Sequence, residues 1–209
     1  MIDFLAVMGR GIQKVKGAGG NIDWAATEDL EVMDESGAHS IFRKPVDDEN
    51  ENCLVGGGVL NLLSGAELIL AHSPRVVVCA YGPRSRYLRE ADGPSESEVM
   101  SNALQNLTPI KGRGSLFLMP RWSRHDDRPG PSNTKTEIGY ILELALKTSN
   151  RRVGIVTVSV HLPRVALFAK QHLASERFKN QNLEIRFFSS EQVLIESSPE
   201  TYAPRVMEL

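Results

Sequence analysis

The chain alternates short apolar runs with longer stretches in which apolar residues recur every three or four positions. Continuous apolar runs are typical of strands that are covered on both faces of a parallel sheet. They predict strands over residues 3–8, 75–80, 115–119, 152–158 and 183–188. The three-four spacing predicts amphipathic helices over residues 60–72, 95–107, 134–148 and 162–173. This alternation predicts an α/β fold with a largely parallel sheet and right-handed crossovers.

Two regions interrupt the alternation. Residues 17–52 are polar and predict an insertion after the first strand, with a helix over 23–33 and a short strand over 39–42. The tail, residues 198–209, is expected to be extended and to lack regular structure. We interpret residues 1–209 as one domain that carries this insertion.

Composition narrows the class of protein. With 209 residues and 41% hydrophobic content the chain can build a sizeable core. The net charge of -2 gives no bulk basic field for nucleic acid. No run approaches the ~20 apolar residues of a membrane span, and the start lacks a signal-peptide pattern. Cys53 and Cys79 form no metal-binding or disulfide pattern, so we expect reduced thiols and a cytoplasmic location.

Polar and glycine-rich segments follow four of the predicted strands, and in open parallel sheets ligands bind beyond the carboxyl ends of the strands. The residues expected to bind an anionic ligand there are glycines or carry a hydroxyl, an amide or a guanidinium group. They are Gly9, Arg10, Gly11, Gly82, Arg84, Ser95, Arg121, Asn133, Thr134, Thr157 and Arg164.

Two helix starts add carboxylates. Glu96 continues the apolar stripe of residues 95–107 back by one turn, so it is expected to point inward, whereas Glu98 is expected to be solvated. Glu137 lies at the border of the next helix's stripe. The alternative is ordinary capping, with Ser95 as one N-cap and Ser132 or Asn133 as the other.

The segment "VTVSVHLPRVA" ends a strand and begins a helix. Pro163 suits the first helical turn, which places His161 at or just before the N-cap and Arg164 about one turn further. A helix N-terminus with an added arginine and a titratable histidine predicts an anion site with a proton donor. The alternative is a histidine that satisfies a local hydrogen bond beside an arginine paired with a carboxylate.

Other motifs give no support to common enzyme classes. "GRGIQK" lacks the last glycine of a dinucleotide fingerprint, and the glycine runs at 17–20 and 56–58 lack the P-loop ending. The chain has no G-x-S-x-G elbow, and no metal-ligand spacing is recognised.

The motifs "VMGRG", "AYG", "SESEVM", "NTKTE" and "VTVSVHLPRVA" resemble those of the YdcF/SanA/ElyC-like family, a bacterial domain family of largely undefined biochemistry. The resemblance extends from about residue 3 to 188 and implies a three-layer αβα Rossmann-like sandwich. It places Glu96, Thr134, His161 and Arg164 in a shared polar pocket. Glu137 stands where the family has asparagine, and Ser97 where it has alanine. The soluble YdcF-like branch is the closer comparison, and it implies S-adenosylmethionine as a candidate ligand.

Three functions follow as hypotheses. The first is an enzyme that hydrolyses, or transfers a group from, a small anionic or nucleotide-like ligand, with His161 as acid or base and Glu96 or Glu137 as its partner. The second is a non-catalytic module that binds or senses a nucleotide or an S-adenosylmethionine-like ligand. The third is a protein-interaction domain that works through the insertion at 17–52.

Overall fold

The computed structural model describes residues 1–16, 20–27, 32–34, 37–39, 56–81, 94–107, 114–119 and 133–207. Its strands in chain order are β1 (Phe4–Val7), β2 (Ile12–Lys16), β3 (Ile22–Ala26), β4 (Val32–Asp34), β5 (Gly37–His39), β6 (Val76–Cys79), β7 (Leu116–Phe117), β8 (Arg152–Thr157) and β9 (Glu184–Ser189). Its helices are α1 (Gly58–His72), α2 (Glu96–Asn106), α3 (Thr134–Lys147), α4 (Leu162–Leu173), α5 (Ser190–Ser197) and α6 (Pro199–Met207).

Five strands form a parallel central sheet in the order β7-β6-β1-β8-β9. The side chains of β1 alternate between the two faces of this sheet, as a pleated strand requires. Leu5 and Val7 join a core cluster with residues of α1 and α2, whereas Phe4 and Ala6 join a second cluster with residues of α3 and α4. The fold is therefore a three-layer α/β sandwich of Rossmann-like form, as the sequence predicts.

The insertion differs from its prediction. Part of the expected helix over 23–33 is instead β3, which pairs with β2 as an antiparallel hairpin, and another part is β4. The hairpin is stabilised because Ile12 and Trp24 pack with Val99 of α2, a long-range contact that local spacing does not reveal. Of the short strand expected over 39–42, His39 is the last residue of β5, and residues 40–42 lie outside the described part.

The prediction of an extended tail is also wrong. After β9, α5 begins with Ser189 as its N-cap, and α6 follows and packs against α5. Pro199 is the first residue of α6, a position that tolerates proline because its N–H would have no partner in the helix. The preceding Ser198 donates from its hydroxyl to Thr201 Oγ1 at 3.0 Å. Within the described residues no helix combines the length and the apolar character that crossing a membrane would need.

Candidate functional site

Residues 9–11 form the turn after β1, which we name the glycine strap. This strap binds the carboxyl groups of Glu96 and Glu137, the two glutamates predicted to point inward or to border an apolar stripe. Gly11 N–H donates to Glu96 Oε1 at 2.5 Å, and Gly9 N–H donates to Glu137 Oε1 at 3.4 Å. A backbone bond from Arg10 to Glu96 completes the set. Glu96 begins α2 and Glu137 lies in the first turn of α3, so two helices from opposite faces of the sheet meet at the strap.

The outer side of the strap is tied to the scaffold. The Arg10 carbonyl accepts from Thr27 Oγ1 at 3.0 Å, and the Arg10 Nε donates to the Gly56 carbonyl at 2.9 Å. Gly11 has a φ of 99°, a left-handed conformation that favours glycine. These bonds orient the strap so that its N–H groups face the carboxyls.

A buried polar network holds the residue before the strap. Asn61 of α1 is fully buried and donates from Nδ2 to the Met8 carbonyl at 2.8 Å. Its Oδ1 accepts from Ser190 Oγ at 2.7 Å, and Ser190 Oγ in turn accepts from Ser64 Oγ at 3.0 Å. Asn61, Ser64 and Ser190 are not among the residues predicted from the sequence, although an asparagine on the buried side of an apolar helix is a signal for such a network.

Close packing at Gly9 explains why the position has no side chain. A Cβ atom on Gly9 would lie 2.6 Å from Glu96 Oε1 and 2.9 Å from Ala80 Cβ. Glu96 therefore points inward as its helix phase predicts, and Glu98 is exposed. Ser95 is the N-cap, and its hydroxyl accepts from the Glu98 N–H at 3.2 Å.

Glu137 is a buried carboxyl beside a second carboxyl. Burial and the charge of Glu96 together raise the pKa of Glu137 to about 8, against the bond from Gly9 N–H, which lowers it. Burial also raises the pKa of Glu96, whereas the N–H groups of Gly11 and Arg10 lower it. Glu137 is therefore mainly protonated at neutral pH. The N-cap of α3 is Asn133, which forms a capping box with Thr136.

His161 lies between two threonine hydroxyls. Its Nε2 is 3.1 Å from Thr134 Oγ1, and its Nδ1 is 3.2 Å from Thr157 Oγ1. Each hydroxyl can donate or accept, so the pair serves either tautomer of the ring. Burial, Arg10 and Arg164 lower the pKa of His161 to about 4, which makes the imidazole neutral at pH 7.

Arg164 lies in the first turn of α4, exposed, with its guanidinium 5.7 Å from the centre of the Phe168 ring. His161 is the N-cap of this helix but makes no side-chain capping bond, because its ring is held by the threonines. The helix start thus places a cation and a neutral imidazole at one sheet edge.

A second cluster missed at the sequence level fixes the turn before His161. The Glu191 carboxylate accepts from Ser159 N–H at 2.8 Å and from Ser159 Oγ at 2.8 Å. It also accepts from Ser189 Oγ at 2.9 Å. This cluster joins the ends of β8 and β9, and a serine followed two residues later by glutamate at a helix start is its sequence signal.

The structure brings together nine of the predicted residues at the carboxyl ends of β1 and β8. They are Gly9, Arg10, Gly11, Glu96, Thr134, Glu137, Thr157, His161 and Arg164. Gly82, Arg84, Arg121 and Ser132 lie outside the described residues.

Cys79 is buried, and burial raises the pKa of its thiol to about 12, so it has the character of a core residue. Among the described residues, no three His, Cys, Asp or Glu side chains are grouped so as to hold a metal ion.

Chemically, the edge combines a neutral imidazole, a protonated carboxyl and two guanidinium groups. Comparisons with protein-family models, with curated proteins and with solved structures give no match.

Proposed function

We propose that this sheet edge binds a small anionic or nucleotide-like molecule and catalyses its hydrolysis or a group transfer, with His161 moving the proton. The observation that carries the proposal is the position of the His161 ring, which is hydrogen-bonded on both nitrogens at the start of α4 and lies in the electrostatic field of Arg10 and Arg164. A base that is held in place by a partner on its far side is the arrangement that proton transfer requires.

The positive charge around His161 supports an anionic ligand. Arg10 and Arg164 both lower its pKa, so the ring lies in the field of two cations. The N-terminus of α4 adds the partial positive charge of a helix start. A phosphate or carboxylate group bound there would offset this charge and could be held bidentately by the exposed Arg164.

Exposure decides which threonine meets the ligand. Thr157 is fully buried, whereas Thr134 is partly exposed at the start of α3. We therefore assign Thr134 the contact with the ligand and Thr157 the positioning of the ring. A bound anion would raise the pKa of His161 from about 4 toward neutrality, so that binding itself would turn the ring into an effective base.

We assign Glu96 and Glu137 the role of binding the glycine strap. The N–H groups of Gly9 and Gly11 already donate to Glu137 and Glu96, so the strap holds these carboxyls in place. At neutral pH the protonated Glu137 is a second proton donor at this edge. The quoted motifs also lead us to propose a distant relation to the YdcF-like family, which keeps S-adenosylmethionine among the candidate ligands. The sequence pattern of the thiols and the N-terminal residues leads us to propose a cytoplasmic location.

A thermal-shift screen tests the binding part of the proposal. The panel holds S-adenosylmethionine, nucleotides, sugar phosphates and pyrophosphate, and the proteins are the wild type, Arg164→Ala and the control Arg186→Ala. Arg186 is an exposed arginine that pairs with Glu184 on β9. A ligand at 100 times its Kd stabilises the folded state by about 2.7 kcal/mol, which is a shift in Tm of roughly 5–10 °C for a chain of this size.

We expect a shift in the wild type and the control that is much smaller in Arg164→Ala. Turnover of the bound compound, lost in His161→Ala, would then support catalysis. A shift without turnover would instead favour the binding module. The absence of any shift would refute both small-ligand functions and leave the insertion at 17–52 as the surface to test.

A further inference from the structure

A cleft of about 470 Å³ lies apart from the strand-end site, between β3, α1 and α2. Its volume falls within the range of about 300–1,000 Å³ that is typical of small-molecule pockets. The first turn of α2 separates the two regions, because Glu96 binds the glycine strap while Glu98 lines the cleft. No residue that the proposed function uses lines it.

The floor of the cleft is apolar. It is formed by Val59 and Leu62 of α1, Ala103 of α2 and Trp24 of β3. The indole of Trp24 is partly buried and packs with Ile12 and Val99. A flat apolar body such as an aromatic ring suits these walls, because burying its surface is favourable.

The rim of the cleft carries negative charge. Asp23 of β3 and Glu98 of α2 are exposed residues that line the cleft, and Asn102 adds a side-chain amide. Asp23 Oδ1 accepts from its neighbour's N–H at 2.8 Å, which fixes its position beside Trp24. Among the described residues that line the cleft, none is basic. This rim complements a positive charge and disfavours a negative one.

We propose that the cleft is a second binding site, for a small molecule that has an aromatic or aliphatic body and one ammonium group. The body lies on the floor between α1, α2 and Trp24, and the ammonium group lies between Asp23 and Glu98. This ligand class is opposite in charge to the one proposed for the strand ends, so the two sites would select different molecules.

The test uses three probes of similar shape and different charge: phenethylamine, phenethyl alcohol and hydrocinnamate. Binding is followed by the indole N–H signal of Trp24 in ¹H–¹⁵N spectra of the Trp122→Phe protein, which leaves one tryptophan. We expect the amine to bind most tightly and the anion most weakly. Added salt should weaken the binding of the amine and leave the binding of the alcohol unchanged.

Variants locate the interaction. Glu98→Gln should weaken binding of the amine by about two- to fivefold, the range expected for loss of an exposed ion pair. The affinity for the alcohol should not change. Ala103→Phe should fill the floor and abolish binding of both probes. Glu200→Gln, a control carboxylate on α6 that does not line the cleft, should bind all probes as the wild type does.

Circular dichroism and Tm establish that each variant is folded before its affinity is compared. The proposal is overturned if the alcohol binds the wild type as tightly as the amine, or if Glu98→Gln leaves the affinity for the amine unchanged. It is also overturned if no probe shifts the Trp24 signal.

Discussion

Replacing Glu137 by glutamine should remove most of the dependence of stability on pH above neutrality. The pKa of Glu137 is raised to about 8 in the folded protein, compared with an ordinary value of 4.5. The folded state therefore binds a proton that the unfolded state has released, so this group's contribution to stability is full below its unfolded pKa and is lost as the pH rises through the folded one. The glutamine amide of the variant carries no titrating proton, so that loss disappears.

The magnitude follows from the two pKa values. A folded pKa near 8 and an unfolded pKa near 4.5 reduce the free energy of unfolding by about 2 kcal/mol between about pH 6.5 and pH 8.5. His161 contributes with the opposite sign at the lower end of this window, because its unfolded pKa of 6.5 lies there. Loss of that proton from the unfolded state raises the free energy of unfolding by about 0.4 kcal/mol, in the wild type and the variant alike. Cys79 and Tyr81, whose pKa values burial raises, contribute equally in the wild type and the variant.

Urea unfolding at several pH values across this window measures the effect. With a slope of about 2 kcal/mol per molar urea, the wild-type midpoint should fall by about 1 M, and the midpoint of Glu137→Gln should fall much less. Glu96, whose pKa is also raised, leaves a residual slope in the variant. Glu200→Gln, which removes an exposed carboxylate, should keep the wild-type slope. The reasoning is refuted if Glu137→Gln shows the full wild-type loss.

Three further predictions concern the strap and its surroundings. Gly9→Ala should destabilise the fold by about 1–3 kcal/mol in urea unfolding, because its Cβ would overlap neighbouring side chains. The control Gly114→Ala has open space around the new Cβ and should be nearly neutral. Equal effects of the two substitutions would show that close packing at Gly9 does not matter for stability. Asn61→Leu should lower the free energy of unfolding by about 1–3 kcal/mol, because a buried carbonyl and a buried hydroxyl lose their partner, and an unchanged urea midpoint would argue against the network. Thr157→Val should change the tautomer population of His161 in ¹⁵N spectra, since Nδ1 loses its partner, and wild-type ring shifts would show that the contact does not hold the ring.

Local patterns predicted four of the described helices, α1 to α4, and gave Ser95 as the N-cap of α2. The spacing of apolar residues determines the phase of α2, and from that phase Glu96 points inward while Glu98 is exposed. Pro163 likewise predicted the start of α4, which begins at Leu162. These features depend on residues within one or two turns, so a single sequence contains the information.

Long-range pairing was not available from the same patterns. Trp24 lies in a strand that pairs with the neighbouring β2 and packs on α2, and Val99 of α2 is 75 residues away in sequence. The expectation that Gly9 and Gly11 bind a ligand rested on their position just after the first predicted strand. In the structure the N–H groups of Gly9 and Gly11 donate instead to carboxyls that are 128 and 85 residues away, respectively. Phase predicts which way a carboxyl points but not which group it contacts.

The role of His161 in anion binding and proton transfer is tested most directly by a pH titration of its imidazole by NMR, with and without adenosine monophosphate or inorganic pyrophosphate. We expect a pKa of about 4 for the free protein and a higher pKa once an anion binds near Arg164. The rise should be lost in Arg164→Ala. An imidazole that titrates near its ordinary value in the free protein, or whose pKa is unchanged at saturating anion, would show that His161 does not have this role.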